Sequence, residues 1–209
     1  MTRQNLPPSI AVGLLNLFAT GEEAESILGD LLEEFSQLAS KSGVVSARRW
    51  YWRQTMRTIV HLVGIGFRAA PWAIAVAVAG GFLLNRFVSG LPERAIFAVL
   101  ERYSVFDHHF NAYVFFATYG IAIGHVIASL FVGCMVALVA RSKEMVATIA
   151  LVLAFFAMTV AAVSVAIATR HTPILSMLPW NFADWLAIMV GGGIVHMRRS
   201  ARTTSPSHP

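Results

Sequence analysis

Hydrophobic and polar positions alternate along the first third of this chain with the period of a helix, and the remainder is dominated by long apolar runs. Pro7 and Pro8 suit a helix first turn, and Ile10, Leu14, Leu17 and Phe18 recur on one side after them, while Met1 to Asn5 reads as a frayed tail. Ile27, Leu31, Phe35 and Leu38 then return every three to four residues, with Leu28 and Leu32 beside them, amid Glu22, Glu23, Glu25, Asp30, Glu33 and Glu34. This predicts an acidic amphipathic helix, opened by a Thr20-Gly-Glu-Glu23 capping box and closed near Ser40, before Lys41-Ser42-Gly43. A basic helix is expected from about Ser46. Its Arg49, Arg53 and Arg57 form one stripe at i, i+4 and i+8, and Trp50, Tyr51 and Trp52 set amphipathic rings beside them, a pattern suited to a membrane surface. The acidic and basic helices are expected to pair as a hairpin across Ser40 to Val45. Gly29, unfavourable inside a helix, reads either as a seat for Trp50 or Trp52 or as a neutral feature.

Four apolar runs follow, 71–88, 111–140, 145–169 and 178–197, the first close to the ~20 residues that a membrane span requires. The second is longer than needed, and the third carries no formal charge. The fourth is the weakest, because Asn181 and Asp184 lie near its start and Gly191-Gly192-Gly193 near its end, although Trp180 and Trp185 suit interface anchors. Between the first two runs, Pro92 to Tyr103 sets Glu93, Arg94, Glu101 and Arg102 around Ile96, Phe97 and Leu100, which predicts a short interfacial helix. Residues 200–209 read as a polar tail. The fold class expected is all-α: a membrane protein with an N-terminal cytoplasmic domain of about three amphipathic helices over residues 1–68 and a four-span bundle over 69–199.

Composition supports this reading. The chain is 56% hydrophobic and 13% charged, too apolar and too sparsely charged for an ordinary soluble domain. Its formal net charge of +5 does not indicate nucleic-acid binding, because the basic residues flank the apolar runs and no basic groove or stacking motif accompanies them. Placing the N-terminus inside puts Arg3, Lys41, Arg48, Arg49, Arg53, Arg57, Arg68, Arg141, Lys143, Arg198, Arg199 and Arg202 on the cytoplasmic side, against Arg86, Arg94, Arg102 and Arg170 outside. Twelve against four orients both termini to the cytoplasm. Arg3 before an apolar run also admits a secretory signal peptide, but Phe18-Ala19-Thr20 makes a poor cleavage site. Cys134, the single cysteine, lies in an apolar run and has no partner for an intramolecular disulfide.

Candidate chemistry is sparse. His125 is an ionisable side chain near the middle of a long span, where such groups are costly and often functional, and the competing reading is a neutral imidazole hydrogen-bonded to a neighbouring helix. No acidic residue stands at a comparable depth by sequence count. Asp184, beside Asn181, reads as an interfacial carboxylate favoured by a helix N-terminus or as part of a polar vestibule. Asp107-His108-His109 offers metal-acceptable side chains, yet sequence neighbours on a loop seldom converge on one ion, so no metal or other cofactor is expected. Gly120, Gly124 and Ala128 form a small-residue stripe, and Ala150, Ala154, Ala157 and Ala161 another on the third span, so the second and third spans are the expected packing partners, with His125 at the edge of their contact. No phosphate-binding loop, metalloprotease or nucleophile-elbow motif is present, and no enzymatic activity is expected.

One resemblance accompanies these residues. The run Ile27-Leu-Gly-Asp-Leu-Leu-Glu-Glu-Phe35, the spacer with Gly43 and Ala47, and Trp50-Tyr-Trp-Arg-Gln54 together resemble the permease prefix domain of bacterial, acidobacterial-type duplicated orphan permeases, over roughly residues 6–70. In that family the prefix is followed by one span, a large extracytoplasmic domain and three further spans. Here Ser89 to Asn111 alone stands in the large domain's place. The resemblance implies a bacterial inner-membrane protein associated with transport. The expected role is an accessory or regulatory subunit whose prefix contacts a partner membrane protein such as a transporter. The alternative is a small permease acting as a homo-oligomer, with His125 and Asp184 along its path.

Overall fold

A computed structural model describes residues 6–19, 21–169 and 178–203 of the chain, all of whose regular elements are helical. The Thr20 cap, the first five residues, Arg170 and residues 204–209 lie outside the described residues. The chain divides into two compact units, Met1–Pro71 and Trp72–Pro209.

The first unit holds α1 (Ser9–Phe18), α2 (Gly21–Ser42) and α3 (Val44–Ala69). The expected hairpin of acidic and basic helices is present, with α1 packed on both of its arms. Its connection is tighter than the sequence suggested. Gly43 alone separates α2 from α3, at φ 82°, a left-handed torsion that a side chain would strain, and its amide donates to the Ala39 carbonyl at 3.2 Å. One core holds Ala11, Leu15, Leu31, Phe35, Ala47 and Tyr51: Leu31 and Phe35 are the expected positions of α2, whereas α1 buries Ala11 and Leu15 and leaves Ile10, expected on its apolar side, exposed. Phe35 and Tyr51 cross edge to face, with ring centroids 5.8 Å apart, which joins the two arms at their most buried point. Gly29 opens on free space, so neither Trp50 nor Trp52 is seated on it.

The second unit begins with α4 (Pro71–Val88), whose bounds match the expected first span, and α5 (Gly90–Arg102). Ser89 between them keeps right-handed helical torsions. Short helices α6 (Val105–His108) and α7 (Phe110–Phe115) lead into a π-helical turn, Phe116–Gly120, which passes directly into α8 (Ile121–Ala140). A 3₁₀ turn, Arg141–Lys143, connects α8 to α9 (Glu144–Ala168), and α10 (Leu178–Thr203) completes the bundle. The last helix therefore runs past the expected end at Met197. Among the described residues four helical stretches are long and apolar enough to cross a membrane: Pro71–Arg102, Phe110–Ala140, Glu144–Ala168 and Leu178–Ala201.

The core of this unit is Ala77, Val132, Val136, Ala140, Ala147, Leu151 and Ile188, with Phe82 stacked on Phe155 at 5.5 Å. Its most extensive helix contact is α8 on α10, rather than the expected pairing of the second and third spans. Glycine makes that contact possible. A Cβ on Gly133 would run into the Ile188 carbonyl, and one on Gly191 into the Leu130 carbonyl, so two backbones touch where no side chain intervenes. Gly192 lies against Thr148 of α9. The Gly191-Gly192-Gly193 run, which weakened the last span on sequence grounds, is its packing face.

Candidate functional site

The two helices α8 and α10 run parallel, so their registers advance together: Gly133 meets Ile188, Cys134 meets Gly191, and Leu138 meets Arg199. The same register brings Ser129 to Asp184. The Ser129 hydroxyl donates to an Asp184 carboxylate oxygen across 3.0 Å, and Ser129 is buried. Asp184 thus turns toward α8, not toward an open helix end as its interfacial reading required.

His125 stands one turn before Ser129 on α8. Its Nε2 is buried and lacks a hydrogen-bond partner, so the neutral imidazole bonded to a neighbouring helix is not what this nitrogen shows. The ring lies within electrostatic range of the Asp184 carboxylate. Counting from Asn111 had placed His125 deeper than any acid, but the α8–α10 register puts Asp184 opposite Ser129, one helical turn from His125. His125, Ser129 and Asp184 therefore form a polar cluster inside an otherwise apolar helix contact. The π-helical turn immediately before α8 is a feature that recurs at functional positions in helices, since its extra residue re-aims the side chains that follow.

The Gly120 and Gly124 pair faces a different neighbour from the one expected. A Cβ on Gly124 would collide with Pro92, and one on Gly120 would lie 3.3 Å from Ile96, so these glycines receive α5 rather than α9. Ala128 is buried, whereas on the third span Ala150 and Ala154 are half-buried and Ala157 and Ala161 exposed. A small-residue stripe shows that backbones can approach and leaves the partner unnamed.

A second cluster, not anticipated from the sequence, closes the other end of α8. Glu144 opens α9, yet it is 5% exposed, and Arg199 of α10 donates to its Oε1 while His196 Nδ1 lies 3.7 Å from its Oε2. The Arg199 guanidinium also donates to the Arg141 carbonyl and, at 3.3 Å, to the Leu138 carbonyl, capping the last turn of α8. Arg141 itself takes a positive φ of 50°, and this clasp holds the strained turn. The sequence signal was present but unread: a lone Glu in a cationic loop, with a His and an Arg spaced i and i+3 on another helix.

In the first unit Arg49, Arg53 and Arg57 are exposed along one side of α3, while Ala47, Tyr51 and Thr55 on the same helix are fully buried. Trp50 and Trp52 are half-buried at the margin, Trp50 lining a groove with Glu34, Gln37, Leu38 and Lys41. The Tyr51 hydroxyl and Thr55 Oγ1 are buried without hydrogen-bond partners, and burial raises the Tyr51 pKa above its ordinary 10.0. Asp107, His108 and His109 are exposed, and among the described residues no three His, Cys, Asp or Glu side chains converge as a metal site would need. Compared with protein-family models, with curated proteins and with solved structures, the chain matches none.

Proposed function

We propose that this chain is a multi-pass protein of the bacterial inner membrane, with both termini cytoplasmic, that acts as an accessory or regulatory subunit and contacts a partner membrane protein, such as a transporter, through its N-terminal helices. The observation that carries this reading is the division of labour on α3. One side of the helix is consumed by the core around Tyr51, and the stripe Arg49, Arg53 and Arg57 is left exposed. A self-contained helical unit with an unspent basic face suits a docking role at a membrane surface, where anionic headgroups contribute about 1 kcal/mol per basic residue. The twelve-to-four distribution of basic residues supports the orientation, and the resemblance to a permease prefix supports the association with transport.

Purification of the full chain in mild detergent tests this. An accessory subunit brings a second polypeptide in fixed stoichiometry, and a triple Arg49→Ala, Arg53→Ala, Arg57→Ala variant retains less of it. Recovery of the chain alone or as a homo-oligomer, at every detergent mild enough to keep it folded, contradicts the reading.

A second reading, a small oligomeric permease, is favoured by the convergence of His125 and Asp184 between α8 and α10. It requires solute or ion flux from the reconstituted protein that falls when Asp184 is replaced by Asn.

A further inference from the structure

A carboxylate placed within a span must be paired, hydrogen-bonded or neutralised, because hydrocarbon cannot solvate it. Among the described residues both ion pairs of the chain fall on Glu144, at the opposite end of α8, and none on Asp184. Asp184 has the Ser129 hydroxyl, which donates one hydrogen bond and no charge. One helical turn from Ser129 on α8 stands the buried, unpartnered Nε2 of His125. A buried nitrogen without a partner and a carboxylate that no described residue pairs with as counter-ion, one helical turn apart at one helix contact, are complementary deficits.

We propose that His125, Ser129 and Asp184 form a proton-binding site that takes one proton between the imidazole and the carboxylate. With the imidazole neutral and the carboxylate ionised, the cluster carries one negative charge. Addition of a single proton, at Nε2 of His125 or at a carboxylate oxygen of Asp184, makes the cluster neutral overall, and the two placements differ only in which heavy atom holds that proton. Ser129 fixes the carboxylate by donating to one of its oxygens and leaves the other free to hold the proton. Among the described residues no ion pair reaches this carboxylate. From α9 no ionisable side chain is available between Met145 and Ala168, α5 presents Pro92 and Ile96 to this part of α8, and its Glu93, Arg94, Glu101 and Arg102 are exposed. The glycine contacts below the cluster hold α8 and α10 at backbone distance, so the two groups cannot separate without unpacking the bundle.

The site goes beyond the accessory reading and gives the permease reading its ligand, though it stands or falls by titration rather than by transport. The test is infrared difference spectroscopy of the full-length protein in lipid nanodiscs, stepped between about pH 4 and pH 8, the range bracketing ordinary carboxyl and imidazole titration. The expected result is a protonated-carboxyl band that titrates in wild type, disappears in Asp184→Asn, and shifts its midpoint by about one unit or more in His125→Gln. Selective ¹⁵N labelling of histidine, with the His125→Gln spectrum assigning the His125 resonance among the chain's seven histidines, reads this ring, and its resonance should change over the same pH range as the band. A wild-type spectrum identical to that of Asp184→Asn, or a midpoint that ignores His125→Gln, overturns the site. Titration without solute or ion flux overturns the permease reading alone, and flux without titration overturns this site alone.

Discussion

Replacing Gly133 by Ala should destabilise the bundle, although alanine is the better helix former. A Cβ at that position would meet the Ile188 carbonyl oxygen, with the carbonyl carbon and Cα of Ile188 only 2.8 Å away. Carbon atoms settle at about 3.5–4.0 Å, so α10 must retreat by roughly 0.7 Å or more, and a gap of that size forfeits a quarter to a half of each dispersion contact along the seam. The obstacle is backbone, which cannot swing aside as a side chain end would. Overpacking of this kind costs about 1–3 kcal/mol, and the upper end applies here because Gly191 touches α8 just below. Alanine's helix preference returns at most about 1 kcal/mol, leaving a net loss of about 2 kcal/mol, or roughly thirtyfold in the folding equilibrium. Gly80→Ala is the internal control: Gly80 lies in α4 with nothing within 4 Å, so alanine there should gain about 0.5–1 kcal/mol. Equilibrium unfolding in mixed detergent micelles, followed by circular dichroism, reads both variants. A Gly133→Ala protein as stable as wild type would refute the backbone contact between α8 and α10.

Other perturbations test the remaining elements. Arg199→Ala should cost about 3 kcal/mol by leaving the buried Glu144 carboxylate to His196, and an unchanged melting temperature in detergent would show that the clasp is idle. Tyr51→Phe should leave stability unchanged or raise it by up to about 1 kcal/mol, since it removes a buried hydroxyl that lacks a partner; a clear loss in thermal melting would mean that the hydroxyl is bonded. Because the Tyr51 pKa is raised by burial, its contribution is fully present below about pH 10 and is lost as pH rises beyond that value, so alkaline unfolding monitored by tyrosinate absorbance should begin later in Tyr51→Phe than in wild type. Phe35→Ala should cost about 3–5 kcal/mol, because it empties the crossing with Tyr51, and preserved proteolytic resistance of the first unit would contradict that packing.

Local periodicity carried most of the architecture. Ile27, Leu31 and Phe35 specify a buried face through spacing alone, and Pro71 to Val88 is a span by composition alone, so both appear where expected. Partner choice was less legible, because it depends on which helix arrives rather than on which face is small. Gly120 and Gly124 announced a close contact and α5 supplied it, whereas the decisive Gly133 and Gly191 pair lay partly hidden in a glycine run that looked like a defect. The approach of Asp184 to Ser129, one turn from His125, follows from the parallel register of two helices far apart in sequence, which no local pattern encodes. The π-helical turn before α8 has no proline and no unusual composition to mark it. Ser129 and the Glu144 clasp were missed for the same reason, since each is an ordinary residue until its long-range partner is in place.

The proposed accessory role requires four crossings that return both ends of the chain to the cytoplasm. Single cysteines introduced by Ser40→Cys, His108→Cys and Arg198→Cys, all exposed positions, in a Cys134→Ser background allow this to be read with a membrane-impermeant thiol reagent. In intact cells the label should reach the cysteine at position 108 alone, and positions 40 and 198 should label only after permeabilisation. Labelling of position 40 from outside intact cells, or of positions 40 and 108 from the same side, would contradict the topology and the cytoplasmic docking role built on it.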